Sequence, residues 1–423
     1  MEFTEIAIVA GLVATYALVA GRLDRSPITA PMVFCLGGLV LGSDATGLVE
    51  LHVDDATVGL VAEITLVLVL FSDAARIDVR QLRTNSSLPL RLLAIGFPLT
   101  VAAGLGAALL VFPALSVWEA GLLAVILTPT DAALGQAVVS SPAVPNRIRQ
   151  ALNVESGLND GLAVPLLAIM LAGALGDGSG DSSFWARFIG EQIGYGLSIG
   201  LLCGFGGGYL VRVAMDRGWM NHTYGQIAPL SIAVLAFAAA SALDGNGFLA
   251  AFVAGIAFGT CSDMVERVIE FAEEEGQLLA ALSFFLFGAV VAAPAFRELD
   301  WRVAVYAAIS LTVVRVLPVG VAMAGSGLER SSIAFVGWFG PRGLASIIFA
   351  IEVAEHSGDL AGGELVASAV TCAVLLSIVA HGMTAAPLST RYGRHADSMS
   401  DDSPEMMDCP DLPLRKRTES PQG

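Results

Sequence analysis

Residues 128–131 read Thr-Pro-Thr-Asp and residues 340–343 read Gly-Pro-Arg-Gly, and each tetrapeptide interrupts a long apolar run. Proline removes a backbone donor and clashes with the preceding turn. Each run is therefore predicted to be a broken helix. Unwound backbone is tolerated at membrane depth only where protein or a water-filled cavity shields it. The two breaks fall in the fifth and twelfth of thirteen apolar segments, seven apart. That odd offset gives them opposite orientations, as an inverted repeat requires. Interrupted helices at corresponding positions of two halves are the best sequence pointer to a transporter's binding site.

Composition agrees with a membrane setting. Of 423 residues 55% are apolar and 14% charged, about half the charged share of an ordinary soluble domain. Mean hydropathy is +0.72, too high for a single soluble core. The net charge of −17 excludes a basic nucleic-acid binder. A helix needs about 20 mostly apolar residues to span a bilayer. Segments 5–21, 28–47, 55–75, 88–112, 119–140, 151–176, 185–213, 226–243, 247–262, 276–296, 302–325, 331–354 and 364–389 fit that length or nearly so. No alternating ten-residue pattern of a β-barrel occurs. The fold class is thus an all-α polytopic membrane protein. The acidic N-terminus, with Glu2 and Glu5, makes the first segment a membrane helix rather than a signal peptide. The proline-bearing polar stretch 391–423 reads as a disordered tail.

With the N-terminus outside, seventeen basic residues lie on the cytoplasmic side and only Arg187, Arg297 and Arg302 outside. This positive-inside asymmetry places the C-terminus in the cytoplasm. Arg315 and Arg342 remain within the membrane, and the only lysine of the chain is Lys416, in the tail. The acidic connection 263–275 also falls on the inner side, and Glu273 to Glu275 read as a solvated cytoplasmic helix face. The five cysteines lack disulfide, zinc or redox spacing. Most of the five histidines (His52, His222, His356, His381 and His395) fall in or beside loops. The glycine run 204–208 has no Lys-Ser/Thr ending and reads as close helix packing, not a phosphate loop.

Charges at membrane depth are costly and usually functional. The sixth segment contains Glu155-Ser156-Gly157-Leu158-Asn159-Asp160-Gly161. Helical spacing puts Ser156 and Asp160 on one face, and Glu155 and Asn159 on the adjacent one. A carboxylate, a hydroxyl and the carbonyls of a broken helix form a hard-oxygen site. Such a site suits an alkali cation and has nothing soft for copper or zinc. Burial disfavours the charged form of a carboxyl group, so proton and cation compete for such a site. If the empty, charged site crosses reluctantly, the competition yields exchange.

The run Glu155–Gly161, the Thr130-Asp131 pair and Gly340-Pro341-Arg342-Gly343 resemble the monovalent cation:proton antiporters of the NhaP and animal sodium/hydrogen exchanger type. So do Phe71-Ser72-Asp73 and Gly245-Asn246-Gly247-Phe248-Leu249-Ala250. The resemblance runs from about 5 to 390. It implies two inverted-topology repeats with crossing broken helices. It also implies a core domain (about 88–176 and 302–389), a dimerisation domain (about 1–75 and 226–296), a linker helix (about 185–213) and a homodimer.

Carried over, Asp160 would bind cation or proton, with the Ser156 hydroxyl, the Thr130 backbone carbonyl and the Asp73 carboxylate, direct or through water, as further ligands of a monovalent cation. Asp131 and Arg342 would offset charge at the crossing, and Glu155, Asn159 and Arg315 would form a supporting pair and brace. Many relatives have proline directly after Thr-Asp; here Ala132 follows and Pro129 precedes.

The electrogenic branch of that superfamily has Asp where Asn159 stands and an intramembrane lysine. Neither is present here, so exchange is expected to be electroneutral, one for one. The implied protein is no enzyme and needs no cofactor. Its partners are Na⁺ (or Li⁺ or K⁺), H⁺ and the lipid bilayer, with no nucleic acid, and it is placed in the plasma membrane. The competing reading is a sodium-coupled symporter of a small organic anion. Arg342 could anchor an anion there, but acids dominate the site.

Overall fold

The computed structural model describes residues 3–23, 26–51, 56–77, 87–131, 134–176, 182–261, 265–295, 300–355, 360–400 and 402–407. Side chains of 56–57, 222, 265–275 and 354–355 lie outside that description. So do Ala132, the acidic face at 273–275, and the tail beyond Met407. The described residues form helices and connections, with a single isolated bridge between Gly42 and Val49.

In chain order the helices are α1 (Phe3–Leu23), α2 (Ala30–Leu41), α3 (Ala56–Ala75), α4 (Ser87–Val111), α5 (Val117–Ile126), α6 (Gln136–Val139), α7 (Asn146–Ala174) and α8 (Ser182–Asp216). They continue as α9 (His222–Ser241), α10 (Gly247–Cys261), α11 (Val265–Leu286), α12 (Trp301–Leu311), α13 (Val313–Ala322), α14 (Arg330–Trp338), α15 (Leu344–Glu355) and α16 (Gly363–Ala396). Among the described residues nine helical stretches are long and apolar enough to cross a bilayer. Four shorter apolar helices accompany them: Ala30–Leu41, Val117–Ile126, Gly247–Cys261 and Leu344–Val353. This is a multi-pass membrane protein.

Both predicted breaks are present. α5 stops at Ile126, and the backbone stays non-helical through Asp131. α14 stops at Trp338 and α15 starts at Leu344. The start of α5 is set by a reciprocal cap. Ser116 Oγ accepts the Glu119 N–H at 3.2 Å, and Glu119 Oε2 accepts the Ser116 N–H at 2.8 Å. The other Glu119 oxygen takes the Gly362 N–H at 2.6 Å, tying α5 to the entry of α16.

Three elements depart from the sequence reading. The eleventh segment is two helices, because Thr312 (φ −112°, ψ −86°) breaks it just before Arg315. The helix of the tenth segment starts at Val265, well before the expected 276. Where disorder is expected from 391 on, α16 runs to Ala396 and residues 402–407 pack back on the protein. Glu405 there is buried, and its Oε1 accepts the Glu329 N–H at 2.7 Å and the Ser332 hydroxyl at 2.8 Å.

α3, α8, α9 and α10 pack together, and α4, α5, α7 and α12–α16 pack together; α3 meets both α7 and α15, and α10 meets α7. Gly196, Gly200, Gly204 and Gly208, one turn apart on α8, let its backbone lie directly on α10. A Cβ at Gly204 would come 2.5 Å from the Ala254 carbonyl. The glycine run 204–208 is thus in part a packing surface, and the buried members are those spaced by four.

Candidate functional site

The two broken helices meet through their unwound backbones. The Asp131 N–H donates to the Pro341 carbonyl at 2.8 Å. Asp131 Oδ2 accepts the Leu344 N–H at 2.8 Å, so this carboxylate sits on the first turn of α15, where a helix terminus carries partial positive charge. Arg342 does the opposite at the end of α5. It is wholly buried, and its Nη1 donates to the Thr128 and Pro129 carbonyls at 3.0 and 3.3 Å. Ser346 adds a hydroxyl donor to the Ile126 carbonyl at 2.7 Å. Carbonyls that helix termination leaves without partners are satisfied here from the other broken helix, and the reverse holds for the N–H groups.

Two glycines in the second break lie against close neighbours, Gly343 against the first break and Gly340 against Arg315 of α13. A Cβ at Gly343 would lie 1.8 Å from Asp131 Oδ2, and one at Gly340 would lie 2.4 Å from Arg315 Nε. A side chain at either point would displace the Asp131 carboxylate or the Arg315 guanidinium.

α7 supplies the rest. Ser156 Oγ lies 3.0 Å from Thr130 Oγ1, and Asn159 Nδ2 donates to Thr130 Oγ1 at 2.8 Å. Thr130 therefore joins the first break to two successive turns of α7. Asp160, one turn beyond Ser156, is 8% exposed. Arg315 grips both oxygens of Glu155, at 2.5 and 2.7 Å, with both side chains buried. Such a bidentate pair is strong and directional.

Asp73 sits at the C-terminal end of α3, half-buried, with Arg76 at 3.9 Å. Its Cβ would be 3.8 Å from a Cβ at Gly157, which places α3 against the face next to Ser156. On the far side, Phe252 of α10 packs on Gly161, where a Cβ would meet the ring at 2.4 Å.

Every predicted site residue thus lies on α3, the first break, α7, the second break or α13. Direct contacts join Thr130, Ser156 and Asn159; Glu155 and Arg315; and Asp131 and Arg342 with the opposite break. The sequence reading missed Ser346, Ser377, Phe252 and His381. His381 is 1% exposed in the middle of α16. Its signal was present, since Ser377, His381 and Thr384 recur at i, i+4 and i+7 and make one polar stripe on an apolar helix.

Comparison with known proteins gives a consistent result. The family model described as "Sodium/hydrogen exchanger, transmembrane" matches residues 8–391. A curated protein of Alkalimonas amylolytica, the K(+)/H(+) antiporter NhaP, is 24% identical over 350 residues, covering 81% of this chain. The match spans 59% of that protein's length. The solved structure of the sodium proton antiporter MjNhaP1 from Methanocaldococcus jannaschii at pH 8 superposes with a TM-score of 0.75 at 17% identity. That match covers 93% of this chain and 99% of that one. A 3D EM map of the same antiporter gives a TM-score of 0.65 at 18% identity, covering 94% and 96%. At these identities the two structures speak for the fold.

Proposed function

The chain belongs to the sodium/hydrogen exchanger family, and from that premise we propose that it is a secondary antiporter exchanging a monovalent cation, Na⁺ first, for H⁺. The observation that supports this most directly is the convergence of Thr130, Ser156 and Asn159 one turn from the buried Asp160, on a helix that meets the crossing of two broken helices.

Asp160 holds either the cation or a proton. The Ser156 hydroxyl and the Thr130 backbone carbonyl contribute hard oxygens, and Asp73 contributes a carboxylate from the α3 side. Asn159 orients Thr130 by donating to it. Glu155 is neutralised by Arg315, so it adds no competing site, and Asp131 and Arg342 each offset a helix end. Both intramembrane arginines are engaged within the protein, which argues against anchoring an organic anion. With Asp73 offset by Arg76, a protonated or cation-loaded site is close to neutral and crosses; an empty Asp160 carries a charge whose transfer through low dielectric is costly. One exchangeable carboxylate, with Asn159 beside it and no membrane lysine, makes the exchange electroneutral, one for one. The working form is a homodimer in the plasma membrane with the N-terminus outside and the C-terminus cytoplasmic. Residues about 88–176 and 302–389 form the moving core.

Proteoliposomes carrying an imposed pH gradient test this with Na⁺, Li⁺ and K⁺ added in turn. The expected result is dissipation of the gradient by at least Na⁺, independent of a clamped membrane potential, and its loss in Asp160→Asn. Undiminished exchange in Asp160→Asn overturns the central assignment. A rate that follows the potential overturns the stoichiometry, and dissipation by K⁺ alone reassigns the cation.

A further inference from the structure

We propose that His381 is a positioning residue for the cation site, bracing the second broken helix through Ser377 and Trp338; the proposal rests on the antiport reading above. His381 Nε2 lies 2.9 Å from the carbonyl of Trp338, the last residue of α14. Its Nδ1 faces Ser377, whose hydroxyl is 3.0 Å and whose carbonyl is 3.1 Å away. Ser377 Oγ in turn accepts the backbone N–H of Arg342 at 2.7 Å.

The polarity of this chain of bonds follows from its ends. Carbonyls face both ring nitrogens, Trp338 at Nε2 and Ser377 at Nδ1, and a carbonyl only accepts. With the proton on Nε2, at the shorter contact, the neutral ring donates to Trp338 and Nδ1 accepts the Ser377 hydroxyl proton, which leaves a Ser377 lone pair for the Arg342 N–H. One imidazole thereby ties the last carbonyl before the break to an amide inside the break.

The consequence reaches the site. Arg342 has no helical N–H partner in the unwound stretch, so Ser377 sets where its backbone lies. That in turn sets where its guanidinium meets the Thr128 and Pro129 carbonyls. Thr130 follows at once in the chain and touches Ser156 and Asn159. The stripe continues on α16: Thr384 Oγ1 accepts the Trp338 indole N–H at 3.0 Å, and the His381 and Trp338 rings lie 5.1 Å apart. α16 therefore grips α14 at its terminal residue. A loosened brace leaves the chemistry of Asp160 intact but smears the geometry of the oxygens around it.

The test compares wild type with His381→Ala, Ser377→Ala, the double variant and His381→Gln, which retains a donor for the Trp338 carbonyl. Two readouts are taken: amide hydrogen exchange over 339–344 in detergent, and cation KM and maximal rate in proteoliposomes. Each single variant is expected to speed amide exchange in 339–344. Each is expected to raise KM about tenfold, the factor that goes with loss of one hydrogen bond, with maximal rate nearly unchanged. The double variant should be no worse than either single one, and His381→Gln should recover part of the loss. Unchanged amide exchange in 339–344, additive effects of the two alanines, or a fall in maximal rate at constant KM overturns the brace. If His381→Ala does not fold, Ser377→Ala and His381→Gln decide by the same criteria. If wild type exchanges no cation, the antiport reading fails while amide exchange still decides whether His381 holds the break.

Discussion

The carboxylate of Asp131 accepts the backbone N–H of Leu344 at 2.8 Å across 213 residues of sequence, so an acid in one broken helix caps the second half of the other. Loss of an N-terminal cap costs about 0.5–2 kcal/mol. Asp131→Ala is expected to lower the thermal midpoint of the detergent-solubilised protein by that equivalent. Asp131→Asn retains an acceptor oxygen and should lose less. Equal midpoints for the two variants would remove the cap from the explanation.

Glu155 and Arg315 pose a different problem, because both are buried and each neutralises the other. Glu155→Ala or Arg315→Ala leaves one buried charge uncompensated, at about 3–5 kcal/mol. The paired replacement Glu155→Leu with Arg315→Met should be much better tolerated than either alanine. Yield of monodisperse protein and thermal midpoint measure this. A dead Arg315 variant therefore says little about transport until its folding is known.

α8 offers two glycines with opposite expectations. A Cβ at Gly204 meets the Ala254 carbonyl at 2.5 Å, whereas one at Gly206 meets nothing within 4 Å. Gly204→Ala is expected to destabilise by about 1–3 kcal/mol through overpacking. Gly206→Ala should be neutral or stabilising by up to about 1 kcal/mol through helix propensity. Thermal unfolding of the two single variants checks the sign of each.

The last described segment is a clasp. Glu405 caps the entry of α14, Arg147 at the start of α7 donates to the Pro404 carbonyl and reaches Met407 Sδ at 3.3 Å, and the same arginine meets Ser87 Oγ of α4 at 3.1 Å. Glu405→Ala leaves buried donors without an acceptor, at about 1–3 kcal/mol. His395→Ala removes only an exposed contact with Glu329, worth about 0–1 kcal/mol. Limited proteolysis near 400–407 should accelerate in the first variant and not in the second.

Much of the fold was legible because membrane helices follow from length and apolarity, and because proline and glycine mark where a helix must stop. The breaks at 128–131 and 340–343 were readable for that reason. So was the shared face of Ser156 and Asp160, which needs only the helical repeat. Less legible was Thr312, which interrupts an apolar run without proline or glycine of its own. The described residues 402–407 were less legible for a related reason: polar, proline-bearing residues suggest disorder, but Glu405 finds donors at the start of α14 that no local pattern announces.

The sequence by itself determined where backbone donors would be missing, which acids and arginines would be stranded at depth, and that no lysine would be among them. Only the tertiary structure decided who answers those deficits. The Pro341 carbonyl meets the Asp131 N–H, Arg342 meets the Thr128 carbonyl, and His381 joins Trp338 to Ser377. The physical reason is that a stranded polar group at membrane depth must be paired. That need is local and readable, but its partner is chosen by packing of helices more than 200 residues apart in the Asp131–Leu344 and Arg342–Thr128 cases.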